Sequence, residues 1–156
     1  MKIKARAYTL AELMTVLAVI FVLIAVITVS TSSFVKRTAG KTTAKNVEST
    51  LKLAREYAIS RGQKYYVFFD GVNGEYYIAS DFSGSTNVGK INKFQGNMSI
   101  ITNNFIRGAS GSAACFNKNG SLDQISDSSI TLGVAGDPST YVTISVENTT
   151  GRVKIE

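Results

Sequence analysis

Glu12 is the residue whose type and place most call for chemistry. It heads a run, Leu13 to Val35, that contains no charged residue and whose polar members are only Thr and Ser. A charge at the middle of a membrane-crossing helix costs roughly 3 kcal/mol on insertion scales, and less near its edge. A carboxylate at position 12 is therefore tolerable in a membrane, but it gains nothing until a cation meets it. The other chemically capable residues are few. There is no histidine, so the commonest general base and transition-metal ligand is missing. The single Cys115 cannot form an internal disulfide, and in an apolar strand it reads as a small buried hydrophobe. Ser and Thr are abundant, yet none lies in an activated G-x-S-x-G setting. Asp123 and Asp127, in "LDQISDSS", are too irregularly spaced for a standard calcium loop, and turn capping is the simpler role. Arg152 and Lys154 share one side of the last strand, but phosphate contacts need several such cations, each adding a modest, salt-sensitive share, and a structural role is the simpler reading. Tyr65, Tyr66, Phe68, Phe69, Tyr76 and Tyr77 would be able to stack bases, but without a positive groove they read as packing residues. No catalytic constellation emerges, and neither a cofactor nor a metal is implied.

The elements that must position these residues follow from periodicity and charge. As a helix, Leu13 to Val35 reaches roughly 34 Å, enough for a bilayer core of about 30 Å. The net charge of +6 is unevenly spread. Lys2, Lys4 and Arg6 precede the apolar run, and residues 36–61 carry seven bases against Glu48 and Glu56. Residues 62–156 carry seven bases against eight acids, so the remainder is close to neutral and not a nucleic-acid-binding composition. Ala44, Val47, Leu51, Ala54 and Ala58 are spaced 3, 4, 3 and 4, which is one helical face. Lys45, Glu48, Lys52, Arg55 and Glu56 form the opposite face, and Gly62 is a natural stop. Only Gly40 interrupts the two helical stretches. Beyond it, "KYYVFF", the turn "DGVNG" and "EYYIAS" predict a hairpin. "MSIIT", "AACF" and "SITLGV" predict further strands, and "GDPST" a turn. "YVTISVE" follows with Val142, Ile144 and Val146 inward, then "RVKIE" with Val153 and Ile155 inward. The last loop places Glu147 across from Arg152 as a charge pair. One long helix followed by an antiparallel sheet is an α+β layout.

The N-terminal segment admits three readings. A secretory signal peptide would have "VSTSS" as an imitation cleavage site, but the apolar core is too long and Glu12 intrudes. A plain single-span anchor leaves "AYTLAEL" unexplained. The third reading rests on resemblance: Lys4-Ala5-Arg6-Ala7, then Tyr8-Thr9-Leu10-Ala11-Glu12-Leu13, then an apolar helix, resembles the class III leader of type IV prepilins and pseudopilins. The resemblance implies that a prepilin peptidase cuts between Ala7 and Tyr8. The new Tyr8 amine is then methylated, and Glu12, fifth in the mature chain, meets the amine of a neighbouring subunit. Ala7 stands where the family has Gly, Ala11 where Ile is common, and the anchor lacks the frequent proline.

Further along, "LKLAREYAISRGQKYYVFF", "CFNKNGSL" and "ISVENTTGRVKIE" resemble the helix-to-strand region, the internal aromatic-x-x-x-Gly turn and the terminal Gly-Arg hairpin of GspH/FimT-type minor pseudopilins. The resemblance implies a pilin-like fold: leader 1–7, apolar transmembrane and filament-core helix 8–35, amphipathic helix 36–62, and antiparallel β domain 63–156. It implies a non-enzymatic minor subunit of a type II secretion pseudopilus in the bacterial inner membrane, single-pass with its C-terminal domain in the periplasm or outside. Its implied partners are other pseudopilins through the N-terminal helix, the prepilin peptidase, inner-membrane lipid, the assembly platform, and secreted proteins at the filament tip. The alternative is a type IV pilus minor pilin acting in DNA uptake or adhesion, with Arg152 and Lys154 as the DNA contacts.

Overall fold

The computed structural model describes residues 9–108, 111–123 and 128–156; side chains at 26–34, 36–37, 106–108 and 111 lie outside that description. Helix α1 runs Leu10–Arg61. Its start is written in Thr9-x-x-Glu12, the spacing of a capping box. The Glu12 N–H donates to Thr9 Oγ1 at 3.3 Å, and the Thr9 carbonyl accepts from Glu12 N–H (3.1 Å) and Leu13 N–H (3.2 Å). At the other end Gly62 adopts φ +64°, the left-handed cap that needs no Cβ. The chain divides into two compact units, Met1–Val35 and Lys36–Glu156. In the first, side chains are described from Thr9 to Ala25 and at Val35, and all are exposed, Leu10 at 78% and Phe21 at 69%. Among the described residues no helix is long and apolar enough to cross a membrane.

In the second unit the helix buries the stripe its spacing predicts. Ala44, Val47, Leu51, Ala54 and Ala58 are all fully buried and share a core cluster with residues of both sheets. Full burial of a Leu such as Leu51 is worth about 1.5–3 kcal/mol, while the alanines let the helix approach closely. On the outer face, Glu48 and Lys52 pair at 2.6 Å in the favourable Glu-before-Lys order.

The strands are β1 (Tyr65–Asp70), β2 (Glu75–Ala79), β3 (Asn92–Lys93), β4 (Ser99–Asn103), β5 (Ile106–Gly108), β6 (Gly111–Phe116), β7 (Ser128–Val134), β8 (Asp137–Val146) and β9 (Val153–Ile155). They form two antiparallel sheets, β3-β2-β1-β6-β5 and β4-β7-β8-β9, where the sequence suggests one. The division falls at Asn104-Phe105. Asn104 N–H donates to the Ser129 carbonyl (2.9 Å) and Phe105 N–H to Asn103 Oδ1 (3.0 Å), so the crossing leaves neither donor unpaired. Phe105 then buries its ring against Phe69, centroids 5.6 Å apart.

Two further expectations need correction. The turn before β8 is only Ala135-Gly136, and Pro138 lies within the strand rather than in a turn. The register slips between Leu132 and Val134, and Thr140 Oγ1 accepts from Val134 N–H at 2.9 Å. A bulge is where a strand tolerates proline. Ile155 is not inward: it faces Ile144 in register but is 37% exposed on an edge strand, while Val153 is buried.

Candidate functional site

Two places carry the candidate residues. The first is the start of α1. Glu12 occupies its first turn, exposed, where a carboxylate complements the positive end of the helix dipole by about 0.3–1 kcal/mol. Thr15 Oγ1 donates to the Glu12 carbonyl at 2.8 Å. Ala7 and Tyr8, the expected cleavage and methylation positions, lie outside the described residues.

The second is the terminal hairpin of the Lys36–Glu156 unit. A groove of about 660 Å³ separates the outer face of α1, with Lys52, Arg55 and Glu56, from Glu147, Arg152 and Lys154. Arg152 and Lys154 are exposed on its wall. The expected Glu147–Arg152 charge pair is half right. Glu147 N–H donates to the Arg152 carbonyl at 3.0 Å, so the two stand opposite. No ion pair joins them among the described residues, because the Glu147 carboxylate accepts from Thr150 Oγ1 at 2.7 Å. Both cations stay available, but Glu56 and Glu147 share the groove and dilute its positive potential.

The hairpin is held by a lock that the sequence does not disclose. Arg55 Nε donates to the Gly120 carbonyl at 3.1 Å, bridging the helix to the "NKNG" turn. Gly151 packs directly on that same carbonyl, and a Cβ on Gly151 would collide with it and lie 3.1 Å from Arg55 Nε. A Cβ on Gly120 would sit 2.7 Å from Ile59 Cδ1 and 3.2 Å from Arg55 Nε. Leu122 N–H donating to the Asn148 carbonyl (2.9 Å) completes the seam. The two glycine motifs, Gly120 and Gly151, thus meet around one guanidinium; each was visible in the sequence, but no local signal announced their contact.

The remaining candidates resolve into structural roles. Asp123 Oδ2 pairs with Lys64 Nζ at 2.5 Å and accepts from Cys115 Sγ at 3.7 Å. The ammonium holds the Asp123 carboxyl below its ordinary value, and the Asp123 bond raises Lys64. Burial pushes the Cys115 thiol up to about 11, which leaves it inert as a nucleophile. Asp127 lies outside the described residues, and among those described no three potential ligands are placed to hold a metal. Tyr65, Phe69 and Tyr76 are buried in the core facing the helix. Tyr66, Phe68 and Tyr77 pack on the opposite face, where Phe68 is fully buried and stacked on Tyr77 at 5.6 Å. None of the three is laid out as a free stacking platform.

Comparison with known proteins places this arrangement. Residues 43–150 match the family model of the type II transport protein GspH. The chain belongs to the GspH family. That match covers the buried helix stripe, strands β1 to β8 and Gly120, and stops just before Gly151 and the last strand, β9. No curated protein matches the chain. Among solved structures, the type IV minor pilin FimU of Pseudomonas aeruginosa is similar with a TM-score of 0.63 at 18% identity, over 79% of this chain and 92% of that one. The minor pseudopilin EpsH of Vibrio cholerae is similar with a TM-score of 0.57 at 14% identity, over 75% and 95%. These likenesses establish a pilin-like fold for this GspH-family chain: a long N-terminal helix packed on antiparallel sheets.

Proposed function

We propose that the chain is a minor pseudopilin of a type II secretion pseudopilus, a structural subunit and not an enzyme. The observation that carries this is the GspH-family match across the packed helix and strands β1 to β8. The pilin-like fold shared with EpsH supports it. In this reading the precursor sits in the inner membrane through residues 8–35, with residues 36–156 on the far side of that membrane. Prepilin peptidase cuts between Ala7 and Tyr8, the Tyr8 amine is methylated, and the helix enters a filament of other pseudopilins. Secreted proteins are met at its tip.

The capped helix start supplies the physical logic. Cleavage leaves an ammonium group at the positive end of a helix dipole, an unfavourable place for a cation. Glu12, already ordered in the first turn by its N–H bond to Thr9, is the nearest anion in the sequence. Among apolar helices an unpaired charge is far costlier than a paired one. Each subunit therefore settles in the register that brings its neighbour's amine to Glu12. Packing of the apolar helices supplies the energy, and the pair supplies the specificity. N-terminal sequencing of the mature protein tests the processing: it yields a methylated Tyr8 if the reading holds, whereas a start near Phe34 means a conventionally secreted domain.

A second reading, a type IV pilus subunit in DNA uptake, is favoured by one observation: Arg152 and Lys154 stand exposed on the groove wall, with no ion pair among the described residues. The acids in the same groove weigh against it.

A further inference from the structure

The chain contains two Asn–Gly dipeptides, Asn73–Gly74 and Asn119–Gly120, and the fold treats them differently. In such a pair the glycine amide nitrogen, unhindered by a Cβ, attacks the asparagine Cγ. A nitrogen–carbon bond forms, the side-chain amide leaves as ammonia, and a cyclic imide results. Water then opens one of the two ring carbon–nitrogen bonds, giving aspartate or isoaspartate. The reaction needs a glycine N–H free of hydrogen bonds and an asparagine side chain able to turn toward it.

At Asn119–Gly120 both requirements are blocked. Gly120 N–H donates to the Asn117 carbonyl at 2.8 Å, and the Gly120 carbonyl is held by Arg55. Asn119 Oδ1 accepts from Ser121 N–H (3.1 Å) and Ser121 Oγ (2.8 Å), and Gly120 is buried. At Asn73–Gly74 the glycine block is missing and only the asparagine side chain is held. The pair sits on the tip of the β1–β2 hairpin beside Val72, which is 96% exposed. The Gly74 N–H makes no hydrogen bond among the described residues. Asp70 does grip this tip, accepting Asn73 N–H at 3.1 Å and Asn73 Nδ2 at 2.6 Å. That grip falls on the nitrogen that departs as ammonia, and Asn73 Oδ1 has no partner among the described residues.

We infer that Asn73 is a site of spontaneous deamidation and isoaspartate formation, and that the fold protects Asn119 from the same reaction. The product would alter more than the tip. The Gly74 carbonyl accepts Phe94 N–H at 2.9 Å, and Phe94 stacks on Tyr76 with centroids 5.3 Å apart. An isoaspartyl linkage inserts a methylene into the backbone just before that carbonyl and moves it. The first consequence is release of Phe94 and of the short edge strand β3.

The test is peptide mapping by mass spectrometry of the detergent-solubilised full chain aged at mildly alkaline pH, native and in denaturant. In the native protein Asn73 converts at least about tenfold faster than Asn119, the factor that one extra hydrogen bond to break supplies. In denaturant the two rates converge, because both sequences are then equally free. The Asn73→Gln variant loses the native conversion, and exchange at the Phe94 amide rises only in protein converted to isoaspartate. Native Asn119 keeping pace with Asn73, or a rate difference that survives denaturation, would overturn the inference.

Discussion

Replacing Gly151 by alanine isolates the lock on the terminal hairpin, because the protein supplies its own control. Gly62 and Gly151 share the same φ of +64°, so the dihedral cost of a Cβ is common to both. That cost is about 1 kcal/mol or somewhat more for an L-residue in the left-handed region. At Gly62 nothing lies within 4 Å of the new Cβ, and the cost ends there. At Gly151 the Cβ meets the Gly120 carbonyl, which is backbone and cannot swing aside. Relief requires the hairpin to move, which sacrifices bonds of the seam: Arg55 Nε to Gly120 O (3.1 Å) and Leu122 N–H to Asn148 O (2.9 Å). At about 1 kcal/mol net for each, the total rises to roughly 3–4 kcal/mol. The core lies wholly between Ala44 and Val153, so residues 36–156 alone are a fair substrate for urea and thermal unfolding. With roughly 4 °C of Tm per kcal/mol for a domain of this size, Gly151→Ala should melt about 8–12 °C below Gly62→Ala. Equal losses in the two variants would refute the lock, since only the shared dihedral would then matter.

Two further outcomes follow from the charged groups. Asp123 is held below its ordinary value and Lys64 above it. Their pair therefore stabilises the fold on a plateau that runs from above the unfolded Asp value, about 3.9, to below the unfolded Lys value, about 10.4. The contribution is lost as pH falls through the lowered Asp123 value and as it rises through the raised Lys64 value. Both side chains are about half exposed, which caps it under about 1 kcal/mol. The stability gap between wild type and Asp123→Asn, from urea unfolding across pH, should be flat near neutrality and close on acidification; a gap that widens in acid contradicts the pair. For the groove, residues 36–156 should show no salt-dependent mobility shift with DNA at low salt. A shift abolished by Arg152→Ala with Lys154→Ala would instead support the DNA-uptake reading.

What the sequence disclosed, and what it hid, divides along local and non-local physics. The stripe from Ala44 to Ala58 was legible because burial on a helix repeats with the helix, and all five of its residues are fully buried. The β1–β2 hairpin was legible because aromatic and β-branched runs flank a glycine-bounded turn. The division into two sheets was not, since it depends on Asn104-Phe105 crossing between neighbours distant in sequence. Pro138 looked like a turn residue because its strand survives only through a bulge and the Thr140 hydroxyl. Arg55 looked like one more surface base on a charged helix face, and only the folded chain brings Gly120 to it. At the helix start, Glu12 was conspicuous for its charge, while Thr9, which caps the same turn, carried no charge to draw notice.

The central claim is that Glu12 is neutralised by the terminal ammonium of an adjoining subunit, and incorporation of Glu12→Ala into the filament tests it most directly. The account predicts a precursor that is still cut before Tyr8 but fails to enter the fibre. Incorporation at the wild-type level would contradict it.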